Sequence, residues 1–135
     1  MSAVVTDTHA LLWYLSDSAK LSTKAAAVFD EAERDGQPIY VPAIILIELR
    51  YLVERGRDIT EADFGTVIAK LNDPTSALTF VPLDQQISED LEHIARSIVP
   101  DMPDRLIAAT AYSLNVPLVT RDSKIRDLTN VDAIW

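Results

Sequence analysis

The chain contains no cysteine. That excludes a disulfide scaffold and any Cys-ligated zinc or iron–sulfur site. Glycine is scarce, with three in 135 residues, and charged residues make up 24%, so disorder and low complexity are both excluded. No segment approaches the roughly 18 consecutive apolar residues of a membrane span. Met1 leads into the short apolar stretch Ala3-Val4-Val5 without the basic and apolar regions of a signal peptide. The expectation is a soluble, cytoplasmic protein. Positive charge is also in short supply: 12 Lys plus Arg against 21 Asp plus Glu leave a formal charge of −9. Such a chain is poorly suited to coating nucleic acid passively. Carboxylates gathered around a divalent metal would nevertheless swell the acidic count and still attract phosphate once loaded. The apolar share of 48% is enough for a full core, and the length suits one compact domain over 1–135.

Short β-branched runs alternate with longer helical stretches. Ala3 to Thr6 reads as a buried strand, and Thr8 to Leu15 as a helix capped by Asp7 or Thr8. Ser22 caps a second helix that stops at Gly36. Ile39 to Val41 is the next strand, Pro42 takes a first helical position, and that helix runs to Arg55 with Gly56 as its stop. Thr60 with Asp63 approximates a capping box. Leu78 to Val81 is a strand, and Asp84 opens a helix of about three turns. Pro103 opens a further helix through Leu114; Leu118 to Thr120 and Val131 to Ile134 close the series as strands. This alternation means an α/β fold with a parallel sheet covered on both faces.

Ligands of open α/β sheets bind beyond the carboxyl ends of the strands. Four acidic residues stand in or near that position. Asp7 directly follows the first strand, where a helix cap is the plainer use. Glu48 has Ile44, Ile45, Tyr51 and Leu52 as helical neighbours, so a carboxylate falls within an apolar stripe and needs an Arg partner or a metal. Asp104 opens a helix whose facing residues, Ile107, Ala108 and Ala111, are apolar; Asp101 competes for its role. Asp122 ends Leu118-Val119-Thr120-Arg121-Asp122, with Thr120 on the same side of an extended chain. Asp84 also follows a strand but reads as a cap, remote if that strand lies at the sheet edge.

These residues resemble the PIN-domain ribonucleases, specifically the VapC-type toxins of toxin–antitoxin pairs. Asp7-Thr8-His9-Ala10-Leu11-Leu12-Trp13 resembles the opening motif of that family. Glu48 matches its helix-borne acidic residue, Asp104 to Ala111 its third motif and Leu118 to Asp122 its fourth. The segment Val99-Pro100-Asp101-Met102-Pro103 departs from the His and aromatic residues common there, so the loop before Asp104 differs in shape. The resemblance implies a three-layer α/β/α PIN-like fold with a five-stranded parallel sheet. It also implies RNA cleavage with Mg²⁺ or Mn²⁺, homodimers, and inhibition by a cognate antitoxin. Carboxylates supply the oxygen ligands that such hard cations prefer. Asp7 and Asp104 are then the primary metal ligands; Asp122 and Glu48 complete the acidic pocket, directly or through water. Thr120 supplies a hydroxyl behind the ligands.

Two other readings fit part of the pattern. A phospho-acceptor receiver has an adjacent acidic pair after its first strand and a Lys after its last, and this chain has neither. A non-catalytic PIN-like RNA-binding module would tend to lose acidic residues, and all four are here. His9 and His93 form no ligand triad, and His9 reads as structural. Arg105, beside Asp104, and Arg121, Lys124 and Arg126, just after the fourth strand, are candidates to hold RNA phosphates at the pocket rim. Their alternative use is solvated surface charge or pairing with Asp127 and Asp132. The Ala43 to Arg55 helix is apolar around most of its circumference, which predicts a dimer contact there unless the Thr60 helix covers it.

Overall fold

Val4, Val5 and Thr6 form strand β1 (Val4–Thr6), and all three side chains are buried. Successive side chains of a strand point to opposite faces, so both faces of β1 are covered. In this computed structural model, which describes residues 2–135, β1 is the middle strand of a five-stranded parallel sheet. The other strands are β2 (Ile39–Pro42), β3 (Leu78–Val81), β4 (Leu118–Val119) and β5 (Ala133–Ile134), in the order β3-β2-β1-β4-β5. Val4 pairs with Ile39 on one side, and Val5 with Leu118 on the other. The chain thus leaves β1 toward β2 and β3, then returns to lay β4 on the opposite side. The switch point falls between β1 and β4, where this class of sheet opens a crevice.

Helices α1 (Thr8–Leu15), α2 (Thr23–Arg34), α3 (Ala43–Arg55), α4 (Glu61–Asn72), α5 (Gln85–Asp90), α6 (Met102–Leu114) and α7 (Ser123–Arg126) complete the three layers. Their ends follow local chemistry. Ser22 accepts from Ala25 N at 3.0 Å, and Thr60 and Asp63 form a reciprocal capping box. Gly56 closes α3 at φ 68°, a left-handed conformation that glycine adopts without penalty. No helix of the described residues is long and apolar enough to cross a membrane.

Several boundaries differ from expectation, among them the last strand, which covers Ala133–Ile134 and leaves out Val131 and Asp132. Pro42 is the last residue of β2, paired with Val81, because its ψ of 142° is extended; the helix begins at Ala43. The helix after Asp84 spans only Gln85–Asp90 before tightening into a 3₁₀ turn at Leu91–His93. Helix α6 begins at Met102, because Asp101 accepts from Asp104 N at 3.2 Å and so serves as the cap. Thr120 lies just beyond β4, although its N–H still donates to Ile134 O at 3.0 Å. The single turn α7 has no apolar periodicity to announce it and is started by the cap of Asp122.

Candidate active site

The first residue beyond β1 is Asp7. Its N–H donates to Val119 O at 3.2 Å, which ties the end of β1 to β4. Its carboxylate accepts two hydrogen bonds, one on each oxygen. Oδ1 caps α1 by accepting from Ala10 N at 2.8 Å, and Oδ2 accepts from the Thr120 hydroxyl at 2.5 Å. Thr120 is fully buried, and its hydroxyl also accepts from Asp122 N at 3.0 Å. One hydroxyl therefore sets the spacing of the acidic residues that follow β1 and β4. Asp122 Oδ1 caps α7, accepting from Ile125 N at 2.9 Å.

Glu48 comes from α3. Its neighbours Ile45 and Leu49 are buried in the core, which fixes the rotation of the helix and leaves Glu48 half-buried at the edge of that stripe. The buried Thr8 hydroxyl donates to Glu48 Oε1 at 2.6 Å. Asp104 arrives from the first turn of α6, a helix held down by the buried run Leu106 to Ala111.

Asp7, Glu48, Asp104 and Asp122 line one cavity of about 180 Å³, together with Thr8, His9, Trp13 and Arg121. Among the described residues no ion pair neutralises any of the four. Electrostatics reflects this crowding. Burial pushes the Asp104 carboxyl up to about 7, and the carboxylates of Asp101, Asp122 and Glu48 push the same way. Burial also raises Asp7, against the lowering effect of its hydrogen bonds from Thr120 and Ala10. Glu48 is raised by burial too, opposed by the Thr8 hydrogen bond.

Such a site suits a cation. The carboxylates of Asp7, Glu48, Asp104 and Asp122 and the Thr8 hydroxyl offer oxygen ligands, which match a hard divalent ion. No group of three or more His, Asp or Glu among the described residues forms a ready-made ligand cage.

The flanking residues divide. Asp101 stays outside the cavity lining as the cap of α6, though its charge is felt by Asp104 and Glu48. Asp84 caps α5 from beyond the edge strand β3 and does not reach the cavity. Arg121 lines the cavity with its guanidinium 4.6 Å above the Trp13 ring. Lys124 and Arg126 are exposed on α7, and neither pairs with Asp127 or Asp132 among the described residues. Arg105 corrects the sequence reading. Its Nε donates to Ile94 O at 2.8 Å and its NH2 to Leu91 O at 2.9 Å. It supplies the Ile94 carbonyl with a donor and gives the Leu91 carbonyl a second one beside Ile94 N at 3.1 Å, and it does not line the cavity.

Sequence reasoning passed over Thr8 and Trp13 and gave His9 a structural role, yet all three line the cavity. Their signal was present: Thr8 adjoins Asp7, and His9 and Trp13 are four apart on one helix face, with ring centroids at 5.5 Å.

Comparison with known proteins bears on the family and the fold. Ribonuclease VapC22 of Mycobacterium tuberculosis (strain ATCC 25618 / H37Rv) is 27% identical over 126 residues, covering 93% of this chain and 92% of that protein. Among solved structures, VapBC2 from Rickettsia felis bound to a DNA fragment from their promoter matches with a TM-score of 0.72 at 18% identity, over 98% of this chain and 97% of that one. A toxin–antitoxin complex from Klebsiella pneumoniae matches with a TM-score of 0.66 at 16% identity, over 98% and 96%. At these identities the structural likeness is one of fold. The family model described as PIN domain matches residues 4–131, nearly the whole chain, and by that measure this chain belongs to the PIN domain family.

Proposed function

We propose that this protein is a metal-dependent ribonuclease of the VapC type, the toxin of a toxin–antitoxin pair. The observation that carries the reading is the convergence of four carboxylates, from four separate chain segments, on one cavity without a neutralising ion pair among the described residues. Folding such a cluster is unfavourable unless a cation compensates it. The ribonuclease and toxin–antitoxin relatives support the same reaction class and an antitoxin partner.

Asp7 and Asp104 would hold Mg²⁺ or Mn²⁺ most directly, with Asp122 and Glu48 contributing directly or through water. An ion held there would supply Lewis-acid chemistry, activating water and compensating charge at the scissile phosphate. The residues of the chain do the positioning. Thr120 holds Asp7 and the Asp122 backbone in register, and Thr8 fixes the Glu48 carboxylate. Glu48 or Asp122 would orient the attacking water. A phospho-acceptor role is disfavoured: no lysine lines the cavity, and both Asp7 oxygens already accept hydrogen bonds.

The test is cleavage of single-stranded RNA by the purified protein with Mg²⁺ or Mn²⁺, with EDTA, and with Asp7→Asn. Loss of an interaction worth several kcal/mol in the transition state lowers the rate by about 100-fold or more. Cleavage that persists in EDTA, or an Asp7→Asn protein as active as the wild type, would overturn the proposal.

A further inference from the structure

Both tryptophans of the chain lie in one cluster at the edge of the carboxylate cavity. Trp135 packs edge-on against Trp13, with centroids at 5.9 Å and planes at 61°. On the same α1 face His9 approaches Trp13 at 5.5 Å, and the Arg121 guanidinium lies over the indole at 4.6 Å. Trp13 is thus held at a set attitude by its neighbours while remaining partly exposed. A second cavity of about 540 Å³ opens between α1 and α4, lined on its apolar side by Leu12, Ile59 and Val67. His9, Trp13 and Arg121 line both cavities, so a chain that reaches the carboxylates continues over the indole into the larger space.

We infer that this second cavity is a nucleobase subsite: Trp13 stacks the base of a nucleotide flanking the scissile phosphate, and Arg121 holds the adjoining backbone phosphate. The inference rests on the ribonuclease reading above and adds to it where the substrate lies. Three features favour a nucleotide. The volume falls within the ~300–1,000 Å³ of small-ligand sites. A stacked guanidinium keeps its N–H donors for phosphate, and Arg121 makes no hydrogen bond or ion pair within the described residues. A chain with a formal charge of −9 repels a polyanion, so stacking, which needs no cation, supplies affinity that electrostatics withholds. Stacking tolerates every base because each has a π-face, and unpaired RNA is the substrate that presents one.

The test is a cycle of protein and RNA changes in the cleavage-dead Asp7→Asn protein with Mg²⁺. A short single-stranded RNA is made abasic at each position in turn, and affinity is measured for the parent, Trp13→Ala, Trp13→Phe and Arg121→Ala. The expected result is one abasic position beside the cleavage site that weakens binding roughly 10-fold. Trp13→Ala should lose as much on intact RNA and nothing further on the abasic strand, and Trp13→Phe should recover part of the loss. Arg121→Ala should keep the abasic effect while lowering the salt slope by about one. RNA should quench the tryptophan emission, and Trp13→Phe should remove most of that quench, which reads the site without requiring the Ala variant to fold. Additive effects of Trp13→Ala and the abasic strand, or an unquenched emission, would overturn the subsite. So would a Trp13→Ala protein that binds RNA normally but loses its antitoxin, which would give the groove to a protein partner. Wild-type cleavage is run alongside: if it proceeds while the cycle is additive, the subsite alone fails, and if it is absent, both proposals fail.

Discussion

Replacing Asp104 with Asn should stabilise the metal-free protein above neutral pH, and the gain should fade in acid. Burial and the neighbouring carboxylates raise this carboxyl from an ordinary 3.8 to about 7. Between those values the folded state keeps a proton that the unfolded chain has released. The native state therefore binds more protons than the unfolded one, and stability falls as pH rises from about 4 through 7. Taken at full strength the displacement is worth about 4 kcal/mol. Asp104 is only half-buried, however, and solvent screening reduces that to about 2 kcal/mol. Asn also forgoes the favourable interaction of a first-turn carboxylate with the helix dipole, about 0.5 kcal/mol. A net gain of about 1–2 kcal/mol remains, or about 3–8 °C in melting temperature. Urea unfolding in EDTA at about pH 8, 6 and 4 measures the difference between variant and wild type at each pH. The reasoning is refuted by a difference that stays constant across this range, or by a variant less stable than wild type at pH 8.

Four further outcomes follow from the same contacts. Saturating Mg²⁺ or Mn²⁺ should raise the wild-type melting temperature, since a ligand at 100 times its Kd stabilises by about 2.7 kcal/mol, and should do little for Asp104→Asn; identical thermal scans with and without metal would exclude a shared site. Thr120→Val keeps the shape of a buried side chain but deprives Asp7 and Asp122 of their common hydroxyl, so it should destabilise by about 1.5–3 kcal/mol and slow RNA cleavage, as denaturation and rate assays would show. Arg105→Ala should destabilise by about 1–3 kcal/mol, since the Ile94 carbonyl loses its donor and the Leu91 carbonyl keeps only Ile94 N, yet leave the salt slope of RNA binding unchanged. Ile47 and Tyr51 of α3 stay 54% and 56% exposed despite the packing of α4, so sedimentation should show a dimer that Ile47→Asp converts to the 15.0 kDa species.

Much of the scaffold follows from residues close together in the chain. Val4-Val5-Thr6 can only be a covered strand, Ser22 and the Thr60–Asp63 pair start helices within one turn of themselves, and Gly56 ends one. The four carboxylates were legible for the same reason: each stands at a strand end or helix face that local periodicity defines. Where neighbours in space are far apart in sequence, the chain alone was mute. Local spacing does not rank Arg105, whose guanidinium serves carbonyls 11 and 14 residues back, below Arg121 as a phosphate contact. Nor does it show that Pro42 would stay in the sheet, since its partner Val81 lies on another strand. Trp13 reads as one more apolar residue of α1 until Trp135 and Arg121 are packed against it. Strand order is the deepest of these decisions. Thr120 donates to Asp7 across 113 residues only because β4 returns to the free side of β1, and the balance of packing over the whole core, rather than any local preference, puts it there.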